Sequence, residues 1–504
     1  MLIKKLDSTK SSKAKFGKTE KGVDDTPDHL QCQHFGTCAG CTIKGNFADA
    51  PVVRRATNFF STEDVQLNVH AIPTALQWRT HVKLAVQPMS RWGGIKIGLY
   101  KAGSHVVEPI PDCRVHHPRI NEAVDELKNC ATDLGIKGYS QATEQGQSSQ
   151  GELRYIQMSL SRVTGKIQLV LVWNCVDYKS AGQALPRLVK KLKNRDDLWH
   201  SITVNFQTAE TNTIFNFNKG SWKLLWGLPT LKEKVGGATF FFQPQIFRQA
   251  NLDAFESGII PVVAKNVPEG STVAELYAGV GILGLNVAHR SVEVTCSDSN
   301  EYVDATFDRS ADSLPEADRD KVFYENLSAE EAVEQGQCEN ADVLIVDPPR
   351  RGLDEGVVNL LLGKHETATA VALKRVIYIS CGYDALERDT RTLLASGLWR
   401  LRSADGFVLF PGSDHIETVA VFDRRGSASS PSPSSAASSA AAGTEVSIPF
   451  ISSTTSSSVS TSRPRRSPKS GRSSDNNNSD DDDDDNSPPS SSVNRPIDLD
   501  DLFQ

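Results

Sequence analysis

No stretch of the sequence approaches the roughly 18 consecutive apolar residues of a membrane-spanning helix, so an integral membrane protein is excluded. The Met1 end has no apolar run of the kind a secretory signal needs. No arginine occurs before Arg54, which argues against a mitochondrial transit peptide. Nine cysteines in 504 residues are too few for a disulfide scaffold, and their clustering points to reduced thiols in an intracellular, reducing compartment. An excess of basic charge is also lacking: the formal net charge is −7. From Gly426 to Gln504 there are six basic and eleven acidic residues, six of the latter in the run Asp480–Asp485, so most of the negative charge lies in this tail. The remainder is close to neutral, which excludes a uniformly basic binder but leaves room for a local basic groove.

Residues 1–31 are polar and Lys-rich and read as a disordered basic arm; residues 426–504 are rich in Ser, Pro, Asn and Asp and read as a disordered tail. Neither buries enough apolar surface to offset its ordering entropy. Residues 32–125 form a cysteine-containing region that merges into a central domain. Residues 126–242 favour strands: Arg154–Arg162 alternates, Thr164-Gly165 turns, and Ile167–Trp173 continues as the second arm of a hairpin. In residues 243–425, short apolar runs alternate with helical stretches. The strands expected there are Thr272–Tyr277, Val292–Cys296, Val322–Tyr324, Val343–Val346, Val376–Ser380 and Thr418–Phe422. The fold class is therefore α/β, a doubly wound, Rossmann-like domain after a mainly β domain, with its ligand site at the carboxyl ends of the strands.

Gly279, Gly281 and Gly284 fit G-x-G-x-x-G between an expected strand and a helix. Such a loop serves either NAD or S-adenosylmethionine. Glu275 before the glycines and Asp298 after the next strand suit a cationic, ribose-bearing ligand, although Asp298 suits NAD as well. The discriminating element is Val343–Val346 running into Asp347-Pro348-Pro349-Arg350. Two prolines stiffen the exit of a buried strand and fix a polar rim at the sheet edge, which a base-modifying methyltransferase needs and a dehydrogenase does not. The next strand ends on Cys381, where a thiolate could attack a bound substrate. His415 and Glu417 precede the last strand and share a face by alternation.

Several of these pieces occur together, in order: Gln249-Ala-Asn, Glu275-Leu-Tyr-Ala-Gly-Val-Gly, Glu325-Asn-Leu, Asp347-Pro-Pro-Arg-x-Gly, Tyr378-Ile-Ser-Cys381 and Phe410-Pro-x-x-x-His-x-Glu417. Across about residues 240–424 the chain resembles the RNA 5-methyluridine (uracil-C5) methyltransferases, including the iron–sulfur 23S rRNA type. The resemblance implies Cys381 as nucleophile and Glu417 as the base that removes the C5 proton. It implies S-adenosylmethionine contacts by Gln249, Tyr277, Gly279, Asp298 and Asn326, with Asp347 near both cofactor and base. Two departures stand out. Cys381-Gly382-Tyr383 replaces the family's Cys-Asn-Pro, and Ile282 takes a place often held by Asn. The place where related 5-methylcytosine enzymes carry a second Cys holds Pro349 and Arg350, which disfavours cytosine.

Cys32, Cys38, Cys41 and the remote Cys113 compose a four-thiolate set. The spacing alone fits Zn or a [4Fe–4S] cluster; the resemblance favours [4Fe–4S], in a structural role. Cys130, Cys175, Cys296 and Cys338 read as structural, and His116 and His117 as surface residues. Trp78–Val86 and Gly98–His105 interleave basic and aromatic residues and suit RNA contact. Only 31 residues precede Cys32, too few for the TRAM barrel of some family members. The expected function is methylation of uridine C5 in RNA, rRNA ahead of tRNA, on an unpaired or flipped-out base, by a monomer without a membrane partner. The competing functions are an NAD-dependent oxidoreductase and a non-catalytic RNA-binding protein that keeps the fold.

Overall fold

The computed structural model describes residues 30–70, 74–89, 94–141, 150–210, 213–365 and 372–426. The expected basic arm and acidic tail lie outside these residues, apart from their innermost positions. Apolar alternation sets the strands. After β1 (Leu67–His70) come β2 (His81–Pro88), β3 (Ile95–Tyr100), β4 (Val107–Pro109), β5 (Leu153–Leu160), β6 (Ile167–Trp173), β7 (Trp199–Phe206) and β8 (Trp222–Gly227). β2 to β8 form one sheet in the order β4-β3-β2-β5-β6-β7-β8. The predicted hairpin is β5–β6, antiparallel, with Leu160 opposite Ile167. Apolar residues of these strands pack on the helices Pro118–Asp133 and Ala184–Leu192. Buried polar side chains among them reach backbone carbonyls of residues 229–244: Gln157 Nε2 donates to Pro244 O (2.9 Å) and Gln168 Nε2 to Phe242 O (3.3 Å). These two amides thus keep their hydrogen bonds and fix how the following segment docks.

β9 (Leu231–Val235) and β10 (Ala238–Phe242) make a separate hairpin. Its Glu233, fully buried, takes Arg248 Nη2 at 2.7 Å and Arg162 Nε at 3.2 Å. A buried carboxylate is tolerable when paired in this way, and the pair holds the stretch that leads into Gln249.

β11 (Ser271–Leu276), β12 (Ser291–Ser297), β13 (Val322–Glu325), β14 (Val343–Val346), β15 (Arg375–Ser380), β16 (Trp399–Phe407) and β17 (Glu417–Arg424) join β1 in an eight-stranded sheet. Its order is β1-β16-β17-β15-β14-β11-β12-β13. β11 to β15 run parallel, and β17 is antiparallel to both β15 and β16. The chain order reverses between β11 and β14, and such a switch point opens a crevice at the strands' carboxyl ends. The six expected strands are present within a residue or two at their ends. β16 was not among them. Its sequence, Trp-Arg-Leu-Arg-Ser-Ala-Asp-Gly-Phe, lacks an apolar run, because Arg400 and Arg402 face out to pair with Asp423 at 3.5 and 3.0 Å.

The segment 32–125 also divides differently from the expected merger with the central domain. The helix Pro51–Thr62 buries Val52, Val53, Ala56, Phe59 and Phe60 in the same core as Tyr383, Leu386 and Trp399. β1 then pairs with β16, Leu67 opposite Ala404. This part of the amino-terminal region therefore completes the Rossmann-like sheet.

Candidate active site

The loop after β11 is shaped by close approach. Tyr277, Gly279 and Gly281 all have positive φ (59°, 52° and 74°). Gly281 starts the helix Ile282–Val287, and a Cβ there would lie 2.5 Å from Phe307 Cε2, so only glycine fits. Gly279 N donates to Asp298 Oδ2 (2.9 Å), which ties the carboxylate after β12 to the loop. Glu275 is buried inside β11, where its Oε2 accepts Gly284 N at 2.8 Å and lies 3.2 Å from Cys296 Sγ. Burial pushes its carboxyl up to about 8, and the nearby Asp347 and Asp298 add to the rise. Tyr277 adopts its strained backbone with its hydroxyl between Asp354 Oδ2 and Asp354 N, both at 3.1 Å.

Strand register brings the reactive groups together. Ser380 of β15 is opposite Thr418 of β17. Cys381 directly follows Ser380 and Glu417 directly precedes Thr418, so both lie at the same end of this antiparallel pair. Asp347 follows Val346, which pairs with Tyr378 on the other side of β15. Three titratable groups therefore meet at one edge of three adjacent strands. Gly382 permits this: a Cβ there would lie 2.5 Å from Arg350 O, so the Cys381 loop and the Pro-Pro-Arg loop pack backbone to backbone.

Burial dominates the electrostatics. It pushes the Cys381 thiol up to about 12, reinforced by Glu417 and Asp347 and opposed by Arg350. It raises Asp347 to about 7. Glu417, 1% exposed, is raised well above the carboxylate range by burial and then by Asp347, against the pull of Arg350. Its Oε1 has no hydrogen-bond partner. Perturbed acids gathered in a cleft are a mark of a reactive site.

These groups open on one cavity of about 410 Å³, a volume in the range of small-molecule sites. Gln249, Tyr277, Gly279, Asp298, Asp347, Cys381 and Glu417 all line it. Asn326 does not; it stands behind, donating Nδ2 to Asp298 O at 2.8 Å. His415 is not a lining residue either. The position Ile282 lines the cavity with an apolar side chain. The sequence did not single out Asp354, or Phe410 beyond its motif, as lining residues. For Phe410 the signal was the Phe-Pro-Gly turn, an apolar residue held where a chain reverses.

Cys32, Cys38, Cys41 and Cys113 line a second, smaller cavity of about 40 Å³. Burial lifts the Cys38 and Cys41 thiols to about 11 and about 12, and the neighbouring cysteines push the same way. Arg79, buried beside Cys113 and Cys41, supplies positive charge there. Among the described residues no three His, Cys, Asp or Glu side chains already stand in ligating geometry. Four thiols around one cavity with a buried cation nonetheless fit an anionic tetrathiolate centre in donor set and charge.

Two surface expectations change. His116 is buried, bonded through Nδ1 to Asn121 Oδ1 (3.1 Å), and burial drives its imidazole down to about 3. His117 caps the helix Pro118–Asp133, accepting Arg119 N at 3.2 Å. Trp78, His81 and Tyr100 are buried too, so of the aromatic residues in the segments expected to touch RNA only His105 is exposed. Phe217 is exposed instead, with Phe215 and Trp222 grouped beside it at ring distances of 5.1–6.2 Å.

Fold and cleft together define a Rossmann-like methyltransferase. No family model matches the chain. An uncharacterized RNA methyltransferase of Protochlamydia amoebophila is 37% identical over 398 residues, covering 78% of this chain and 98% of the relative. An uncharacterized RNA methyltransferase of Halalkalibacterium halodurans is 25% identical over 436 residues, covering 81% and 86% respectively. Among solved structures, the tRNA (uracil-54, C5)-methyltransferase of Pyrococcus abyssi, in complex with S-adenosyl-L-homocysteine, matches with a TM-score of 0.57 at 20% identity. That match covers 77% of this chain and 86% of the other, and it shows the fold. The chain belongs to the RNA methyltransferases.

Proposed function

We propose that the protein methylates C5 of uridine in RNA, using S-adenosylmethionine, through a covalent bond between Cys381 and C6 of the base. The observation that carries this reading is the convergence of Cys381, Glu417 and Asp347 on the cavity that also holds the Gly279 loop and Asp298. The solved tRNA uracil-C5 enzyme, in complex with S-adenosyl-L-homocysteine, supports the same reading by its fold. A nucleophile and a base set across one pair of strands match what C5 substitution demands.

S-adenosylmethionine supplies the electrophilic methyl group. Gln249, Tyr277, Gly279, Asp298 and Asp347 hold it, and Asn326 braces Asp298 from behind. Cys381, as thiolate, adds to C6 and pushes electron density to C5. C5 forms its bond to the methyl carbon as the sulfur–methyl bond breaks and S-adenosylhomocysteine leaves, and the Glu417 carboxylate then takes the C5 proton. The C5–C6 double bond re-forms and Cys381 leaves as thiolate. The base must be unpaired or flipped out, since C6 is shielded in a stacked helix. Cys32, Cys38, Cys41 and Cys113 hold a [4Fe–4S] cluster, with Zn as the alternative, and the cluster's contribution is structural. The substrate is rRNA ahead of tRNA and the enzyme acts as a monomer in a reducing, intracellular compartment.

The test incubates protein, methyl-tritiated S-adenosylmethionine and unmodified RNA, then digests to nucleosides. Label in 5-methyluridine, abolished by Cys381→Ala, is the expected result. Label elsewhere, or retained in Cys381→Ala, overturns the reading. Hydride transfer from NADH points to an oxidoreductase, and RNA binding without label points to a non-catalytic binder.

A further inference from the structure

The loop from Leu409 to Asp414 joins β16 to β17 and delivers Glu417 three residues later. It carries no group that the reaction consumes, yet it is held along its whole length. Asn251 Nδ2 donates to Leu409 O at 2.7 Å. Trp78 packs on Phe410 with ring centroids 5.7 Å apart. Thr42 N and Ile43 N both donate to Gly412 O, at 2.6 and 2.9 Å. Val52 N, in the first turn of the helix Pro51–Thr62, donates to Asp414 Oδ1 at 2.9 Å.

The hold comes largely from the cysteine segment. Thr42 and Ile43 directly follow Cys41, and Trp78 lines the cysteine cavity. Gly412 has φ 99°, and a Cβ on it would lie 3.0 Å from Cys41 Sγ. Phe410 lines both cavities. One loop therefore has the four thiols on one side and the reactive cleft on the other.

We propose that the four-cysteine site positions the proton-abstracting carboxylate: by docking Cys41–Ile43 on Gly412, it fixes the loop that sets Glu417 against the base. This rests on the reading of Glu417 as the base. Gly412 and Asp414 are positioning residues here, not catalytic ones. A filled cysteine site holds residues 41–43 in place, and an emptied one releases them together with the loop. Proton removal then slows while addition by Cys381, which directly follows β15, continues, because β15 has no part in this docking. Misplacing a reacting group by about an ångström costs on the order of 100-fold, so a small shift suffices.

The test uses the full chain with its native metal content. Hydrogen–deuterium exchange is followed in peptides covering residues 409–417 and, as a control, β14, before and after metal removal and in Cys41→Ser. Faster exchange confined to 409–417 is expected; unchanged exchange there overturns the proposal. In parallel, Gly412→Val and Asp414→Ala are given RNA labelled with tritium at uridine C5. Tritium release should slow about tenfold or more, with the RNA–protein adduct accumulating on denaturing gels. Adduct formation and tritium release falling in step, or neither changing, also overturns it. Wild-type protein that releases no tritium refutes the uridine reading instead, and the exchange arm still decides the coupling. Should Cys41→Ser fail to fold, metal removal and Asp414→Ala carry the same comparison.

Discussion

Replacing Glu417 by Gln separates the two halves of the proposed reaction. The side chain is 1% exposed and is the first residue of β17, so an isosteric amide keeps the packing. At neutral pH the variant should be at least as stable as the wild type. Burial and Asp347 shift this carboxyl towards its neutral form, which Gln mimics. The raised value also means that wild-type stability falls as pH climbs above the unfolded carboxyl's range, whereas the variant lacks this loss. Catalysis behaves differently. General-base removal of a proton contributes about 10²–10⁴-fold, or ~3–5 kcal/mol of barrier. Addition by Cys381 and methyl transfer need no base at position 417, so the methylated adduct should persist. The assay is a denaturing gel with labelled RNA, read beside tritium release from uridine C5. A slow-migrating band should rise as tritium release falls at least a hundredfold, with urea melting at pH 7 no earlier than that of the wild type. A variant that releases tritium at near wild-type rates, or one that forms no adduct while folded, refutes the role.

Glu275→Gln should stabilise the protein increasingly with pH, because the wild-type carboxyl, raised to about 8, must ionise in the unfolded chain but resists doing so when folded. Each pH unit between the two pKa values is worth ~1.4 kcal/mol, so the gap between variant and wild type should widen by roughly 3 kcal/mol from about pH 5.5 to 8.5 in urea melts; a constant gap argues against the burial effect. Gly382→Ala places a Cβ 2.5 Å from Arg350 O and should cost about 1–3 kcal/mol of stability, with a larger loss in turnover as the two loops separate. Equal turnover in that variant would show that the loops' packing does not set Cys381. Cys38→Ala should abolish the visible absorption of a [4Fe–4S] centre and lower the melting temperature; an unaltered spectrum would remove Cys38 from the ligand set.

What was legible in the sequence follows the strength of local signals. The β11 to β15 strands and the β5–β6 hairpin are apolar runs bounded by turns, so period and punctuation suffice. Cys381 and Glu417 lie 36 positions apart, and only the strand register brings them to the same edge. Trp78, His81 and Tyr100 illustrate the opposite failure. Basic and aromatic residues interleaved on a strand describe an RNA-facing surface and a wrapped core equally well, and burial alone decides. β16 escaped notice because its arginines answer Asp423, a partner two strands' length away in sequence. The helix Pro51–Thr62 had a readable amphipathic pattern, but nothing local indicates which sheet it covers. Composition reports what a segment can bury, while the destination of its buried face is a long-range fact.

The reactive edge holds three acids, Asp347, Cys381 and Glu417, beside one cation, Arg350. Burial favours the neutral form of each acid, so the cleft without ligand carries a thiol that is protonated at neutral pH. A protonated thiol is a poor nucleophile and resists oxidation. On the proposed reading this is the resting condition, and it changes with occupancy. A sulfonium donor brings a positive charge into the same cavity, where opposite charge favours ionised acids. All three groups then shift towards their ionised forms together. The demethylated product is uncharged at sulfur, so the shift disappears after transfer. On the proposed reading, occupancy by the donor and ionisation of Cys381 are therefore linked.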